Sequence, residues 1–133
     1  MSEQPKTVLM FVNGQAMSGG SINFALQDAK FLGAVKTAAK YRFYSVRDEF
    51  PGLWPVEQDG QAIPGELYEL PYAQLRESLL PNEPSELELG VIELEDGSGS
   101  LSMKMREEEI NSEGVVEITD QGGWLKYLAA KQA

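Results

Sequence analysis

The run TVLMFV at Thr7–Val12 carries apolar side chains at both parities. Successive side chains of a strand point to opposite faces, so such a run is satisfied only where both faces are covered, and it predicts a central strand. Asn13 and Gly14 end the run, being residues that tolerate turn backbone. With 133 residues, 42% of them hydrophobic, the chain has material for one modest core. A single domain is therefore expected over residues 7–131, with a flexible segment at 1–6 and a short tail at 132–133.

Further elements follow from pattern. Phe24, Ala25, Leu26, Ala29, Phe31, Leu32 and Val35 recur mostly at three- and four-residue spacings and predict a helix over Phe24–Val35, capped by Ser21 or Asn23. YRFYSVR at Tyr41–Arg47 reads as a strand. FPGLWP at Phe50–Pro55 reads as an ordered loop, since its prolines lack ladder donors. A strand is predicted around Gly65–Glu69, then a short helix opened by Pro71 and running through Leu79. In Glu86–Glu95 the apolar residues change parity between Val91 and Ile92, which predicts a bulge or bend near Gly90. DGSG at Asp96–Gly99 is a hairpin loop leading into SLSMKM, whose methionines are read as core filling. The segment after Gly114 predicts an extended stretch, a Gly122-Gly123 turn and a helix with Trp124, Tyr127 and Leu128 inward. Leu53, Trp54 or this last helix would supply a surface for homo-oligomer formation.

Composition removes several chemistries. A net charge of −10, from 21 acidic and 11 basic residues, repels nucleic acid and anionic membranes, so neither is an expected partner. No segment is long and apolar enough to span a bilayer, and a cytoplasmic location is expected. The chain has no cysteine and no histidine, which excludes thiolate nucleophiles and the usual neutral-pH acid–base. No metal site and no cofactor are expected. Proton transfer would fall to a carboxylate, a tyrosine, a lysine or water.

The glycine-rich stretch NGQAMSGGS at Asn13–Ser21 approaches a phosphate-loop spacing, but Gly20 stands where lysine is required. A turn of this kind can still hold an anionic oxygen on backbone N–H groups, or it is simply a bend that needs glycine. Glu66 shares strand parity with Tyr68 and Leu70, and Glu83 sits between prolines in PNEP. A buried carboxylate has a raised pKa suited to proton transfer, so both are candidate catalytic residues, with surface solubility as the other reading. Tyr41, Tyr44, Tyr68 and Tyr127 are candidates for an aromatic wall or a hydroxyl contact, with core packing as the other reading and Tyr44 and Tyr68 as the expected ligand-binding residues. Asp28 and Asp120 read as a helical surface group and a turn group.

Five segments in order, VNGQAMSGGSIN, KTAAKYRFYSV, AIPGELYELP, ELGVIELEDG and EITDQGGWLKYLA, resemble the carboxy-terminal domain of allophanate hydrolase, which is similar in fold to the γ-glutamylcyclotransferases. The resemblance implies an α+β fold with a compact mixed or barrel-like β-sheet, surrounding helices and a pocket at the loop after the first strand. It places Asn13, Gly14, Gln15, Ala16 and Met17 in that loop as ligand-binding residues. The cyclotransferase loop is Tyr-Gly-Ser-Leu-like, and only Gly14 carries over well. The essential glutamate beyond the GELY strand has its nearest positional match in Glu83, with Glu66 secondary. Ala16 stands where the allophanate hydrolase branch has a histidine proposed to act in decarboxylation. Two functions stay open: an enzyme acting on a compact carboxylate, amide or γ-glutamyl-type compound, and a non-catalytic small-molecule-binding or protein-interaction module.

Overall fold

A computed structural model describes residues 6–27 and 29–132; residues 1–5, Asp28 and Ala133 lie outside the described residues. The expected flexible segment is therefore described only at Lys6, and the tail only at Gln132, which ends a helix.

Among the described residues, eight strands form one curled, half-barrel-like sheet with short helical segments around it, an α+β fold of the expected kind. Strand β1 (Thr7–Val12) is central, antiparallel to β5 (Pro64–Pro71) on one side and parallel to β7 (Gly99–Met105) on the other. Its inner end, Met10–Val12, is buried at both parities, so TVLMFV needs no polar face there. Beyond β5 lies β2 (Lys30–Lys36); beyond β7 come β4 (Phe50–Pro55), β3 (Tyr41–Val46) and β8 (Val115–Glu117). Strand β6 (Leu87–Glu93) pairs with β7 through the Asp96–Gly99 hairpin, where Gly97 takes φ 89°.

Three readings of the sequence are corrected. The helix expected over Phe24–Val35 is a 3-10 turn at Asn23–Leu26 followed by β2, and neither Ser21 nor Asn23 caps it. A register shift between Phe31 and Gly33, with Gly33 at φ 129°, breaks the two-residue alternation and leaves apolar spacings that imitate a helix. The loop expected at Phe50–Pro55 is strand β4. Val56 N–H donates to Lys40 O, so even-numbered residues of β4 face the β3 ladder. Pro51 and Pro55 have the opposite parity and turn their missing donors toward β7, where pairing is confined to Leu53 and Lys104. The bulge expected near Gly90 is absent, because β6 and β7 stay in one register from Leu87↔Met105 to Glu93↔Gly99. Ile92 and Leu94 join the main core; of the other parity only Leu87 is buried, in a smaller cluster with Val46, Phe50 and Met105, while Leu89 and Val91 are exposed.

The main core gathers Phe11, Phe43, Leu53, Ile63 and Trp124 with Leu75 and Leu79. The latter two come from a helical segment that starts with α1 (Tyr72–Gln74), widens to a π turn at Leu75–Leu79 and tightens at Leu80–Asn82. Leu53 is 0% exposed and belongs to this core, so it cannot serve the association surface expected of it. The final helix α2 (Trp124–Gln132) buries Trp124 and Tyr127 as its spacing requires. Among the described residues no helix is long and apolar enough to cross a membrane.

Candidate functional site

The sheet parts on one side of β7. Strand β1 pairs with it at Leu101 and Ser102, and β4 takes over at Lys104. Between these contacts the chain leaves β1 at Asn13, and Gly14 passes so close to β4 that a Cβ there would come within 2.3 Å of Pro51 Cδ. A cavity of about 170 Å³ opens at this parting. Met10–Ala16, Glu49–Pro51, Leu87, Ser102 and Met103 line it, and Asn82, Glu83 and Pro84 close it from the end of the helical segment.

Asn13, Gly14, Gln15 and Ala16 thus share one cavity with Glu83. Met17 does not line it: its backbone closes the loop, accepting from Gly20 N–H at 2.8 Å and donating to Gly14 O at 3.1 Å, while its side chain enters the main core. Gln15 ties the loop together, its Oε1 accepting from Ser21 N–H and its Nε2 donating to Glu49 O. Among the described residues, the N–H groups of Gly14, Gln15 and Ala16 meet no protein acceptor. Asn13 is 7% exposed, and its buried Nδ2 also has no partner.

Glu66 and Tyr68 lie behind the loop and do not line the cavity. Glu66 Oε1 accepts from Ser18 N–H at 2.7 Å, Ser18 Oγ at 3.2 Å and the Tyr68 hydroxyl at 3.0 Å. Asn23 Nδ2 donates to Ala16 O at 2.8 Å and reaches the Tyr68 hydroxyl at 3.4 Å. Burial raises the Tyr68 pKa, so its hydroxyl stays protonated near neutrality. Tyr44 also lies away from the cavity, beside Arg42 and Glu117, with its pKa raised first by burial.

Charge at the cavity is unbalanced. Its lining holds two carboxylates, Glu49 and Glu83, and no basic side chain. Glu49 pairs with Arg47 at 3.0 Å, whereas Glu83 has no ion-pair partner among the described residues. Burial raises the Glu83 pKa from 4.5 to about 7, because little water or positive charge remains to stabilise the anion. Near neutrality this carboxyl can therefore accept or release a proton. Among the described residues no cluster of acidic side chains is arranged to hold a metal ion.

Sequence reasoning missed Glu49, Phe50, Pro51, Asn82 and Met103 as cavity residues. The available signal was Pro51, whose ring needs a residue without a side chain opposite it, as Gly14 is.

The chain matches the allophanate hydrolase C-terminal domain family over residues 8–129. It is 30% identical over 129 residues to the urea amidolyase of Lachancea kluyveri, covering 92% of this chain and 7% of that protein. A uropathogenic E. coli-specific protein superposes with a TM-score of 0.86 at 36% identity, covering 93% of this chain and 97% of the other. The allophanate hydrolase of Kluyveromyces lactis superposes with a TM-score of 0.88 at 29% identity, covering 96% of this chain and 22% of that one. A gamma-glutamyl cyclotransferase at 14% identity and a TM-score of 0.62 shares the fold. The chain thus spans only a small part of the two large relatives.

Proposed function

We propose, from the premise that the chain belongs to the allophanate hydrolase C-terminal domain family, that it binds a compact small molecule carrying a carboxylate or amide oxygen and an N–H group. The observation that carries this reading is the meeting of the Asn13–Ala16 loop and Glu83 in one cavity. The free N–H groups of Gly14, Gln15 and Ala16 suit an acceptor oxygen, and the unpaired Asn13 Nδ2 adds a further donor. Glu83 faces the same space and suits the ligand's N–H group. An apolar cavity of about 150 Å³ holds a benzene-sized molecule, so the volume here takes a ligand, or one end of a longer ligand, of similar bulk.

A second reading adds turnover, with Glu83 moving a proton while the loop N–H groups hold a developing oxyanion. Its support is the pKa near 7, which places the carboxyl between its two charge states at neutral pH. The histidine of the allophanate hydrolase branch is replaced by Ala16, and no other histidine exists in the chain. Inheritance of a histidine-dependent decarboxylation is therefore disfavoured, and binding is the primary reading.

Calorimetric titration with allophanate, N-carbamoylglycine, 5-oxoproline and γ-glutamylalanine, with products followed by NMR, tests both readings. Binding without product, weakened in Glu83→Gln and in Gly14→Ala, supports the binding module. Product formation abolished in Glu83→Gln supports the enzyme. Absence of binding across the panel counts against the compact-ligand reading.

A further inference from the structure

Arg47 stands where the two walls of the cavity come together. Its Nε binds Glu49 Oε1 at 3.0 Å within the same β3–β4 turn, just before β4, and its Nη1 binds Glu86 Oε2 at 2.8 Å on the chain that carries Glu83 and Pro84. The guanidinium also lies 5.7 Å from the ring centroid of Phe50, a cavity residue. Glu86 is only 19% exposed; burial pushes its pKa up, but Arg47, together with a backbone N–H and Ser85, holds it below its ordinary value.

The base of Arg47 is itself fixed. Its N–H donates to Gly114 O at 2.8 Å, and its stem crosses Gly114 so closely that a Cβ there would meet Cγ at 2.9 Å. Arg47 and Asp48 both take positive φ, 54° and 58°, in the tight β3–β4 turn. Asp48 pins that turn to α2 and β3 through Tyr127, Lys131 and Ser45. A side chain mounted on so fixed a turn can hold the less regular 82–86 segment in place.

We infer that Arg47 is a positioning residue that latches the Glu83 wall of the cavity against the β4 wall. The inference rests on the cavity reading above, but its test needs no ligand. With the latch closed, Glu83 is kept from water, facing Glu49 across the cavity and having Glu86 and Arg47 nearby on its own wall and the β3–β4 turn. With the latch open, water reaches Glu83 and its proton affinity falls.

The test is the titration of Glu83 followed by carboxyl carbon NMR in wild type, Arg47→Gln and Arg47→Lys. The expected result is a tenfold or greater loss of proton affinity in Arg47→Gln and partial recovery in Arg47→Lys. Simple removal of a nearby positive charge would act in the opposite direction and raise the midpoint, so a raised or unchanged midpoint overturns the latch. The midpoint in about 1 M salt, where screening falls to about 3 Å, supplies a second measurement. The Glu83 midpoint is expected to fall more with salt in wild type than in Arg47→Gln, where only screening of the chain's negative charge remains; an equal fall in both counts against the latch. Either failure leaves the ligand titrations to judge the binding reading separately.

Discussion

Glu66 accepts the Ser18 N–H at 2.7 Å and so holds, from behind, the loop whose front lines the cavity. One carboxylate oxygen gathers Ser18 N–H, Ser18 Oγ and the Tyr68 hydroxyl, and Asn23 extends the set to Ala16 O. Two tyrosine and glutamate candidates are thereby separated from the cavity chemistry and given to loop support. Removing the charged acceptor strands a backbone donor, and hydrogen bonds to charged groups contribute about 1.5–3 kcal/mol. Ser18 is exposed, which places Glu66→Ala at or below the low end of that range. The variant is expected to speed amide exchange at Ser18 while exchange in β1 is unchanged, with Glu66→Gln intermediate. Equal exchange in all three proteins contradicts the clamp.

Gly14 is required for space. Its φ is not positive, but a Cβ would lie 2.3 Å from Pro51 Cδ and 2.7 Å from Cγ. Gly14→Ala must push the loop off β4, at a cost typical of overpacking, about 1–3 kcal/mol. Gly19 is the opposite case, with φ 84° and open space around its missing Cβ. Gly19→Ala is expected to lower stability by about 1 kcal/mol and leave the cavity intact. Denaturant melts, with ligand affinity measured alongside, separate the two: only Gly14→Ala should change both.

The strands that were legible in the sequence are those whose pattern no special backbone disturbs. Tyr41–Val46 and Pro64–Pro71 alternate or fill both faces simply, and the hairpin is marked by Gly97. Strand β2 was hidden because one extra residue at the Phe31/Gly33 shift rephases its apolar positions. Strand β4 was hidden because which neighbour a proline faces is a matter of pairing, and pairing is decided by residues distant in sequence. At the site, Gly14 and Glu83 were readable one by one, but their meeting depends on β1 yielding its place beside β7 to β4. Nothing local in the sequence encodes that exchange.

Asp48 predicts an acid-sensitive attachment of α2. The Tyr127 hydroxyl first, then Ser45 and Lys131, hold its pKa down from 3.8 to about 2. A carboxyl depressed on folding stabilises the protein above its unfolded pKa and loses that contribution as pH falls through the folded value. The stability gap between wild type and Asp48→Asn is therefore expected to be full above pH 3.8 and to close toward pH 2. Its size is modest, because the Asp48 side chain is 39% exposed and solvent screens it. Trp124 fluorescence during denaturation, read in a Trp54→Phe background, reports α2; a gap independent of pH counts against the assignment.

Glu83 predicts the opposite dependence. Its pKa rises from 4.5 unfolded to about 7 folded, so the folded state binds the extra proton between these values and stability falls as pH rises through that window. Ionisation of this half-buried carboxyl at higher pH costs up to about 3 kcal/mol. Glu83→Gln keeps the shape and removes the charge. Relative to wild type it should gain stability progressively from pH 4.5 to 7, reach its full advantage above pH 7, and show little pH-dependent difference below 4.5. Denaturant melts at matched ionic strength across that range measure the gap. A constant gap would place the Glu83 carboxyl in water and remove the physical basis for its role as a proton-transferring group. If the gap widens as expected while ligand affinity in Glu83→Gln equals that of wild type, the carboxyl is buried at the cavity without touching what binds there.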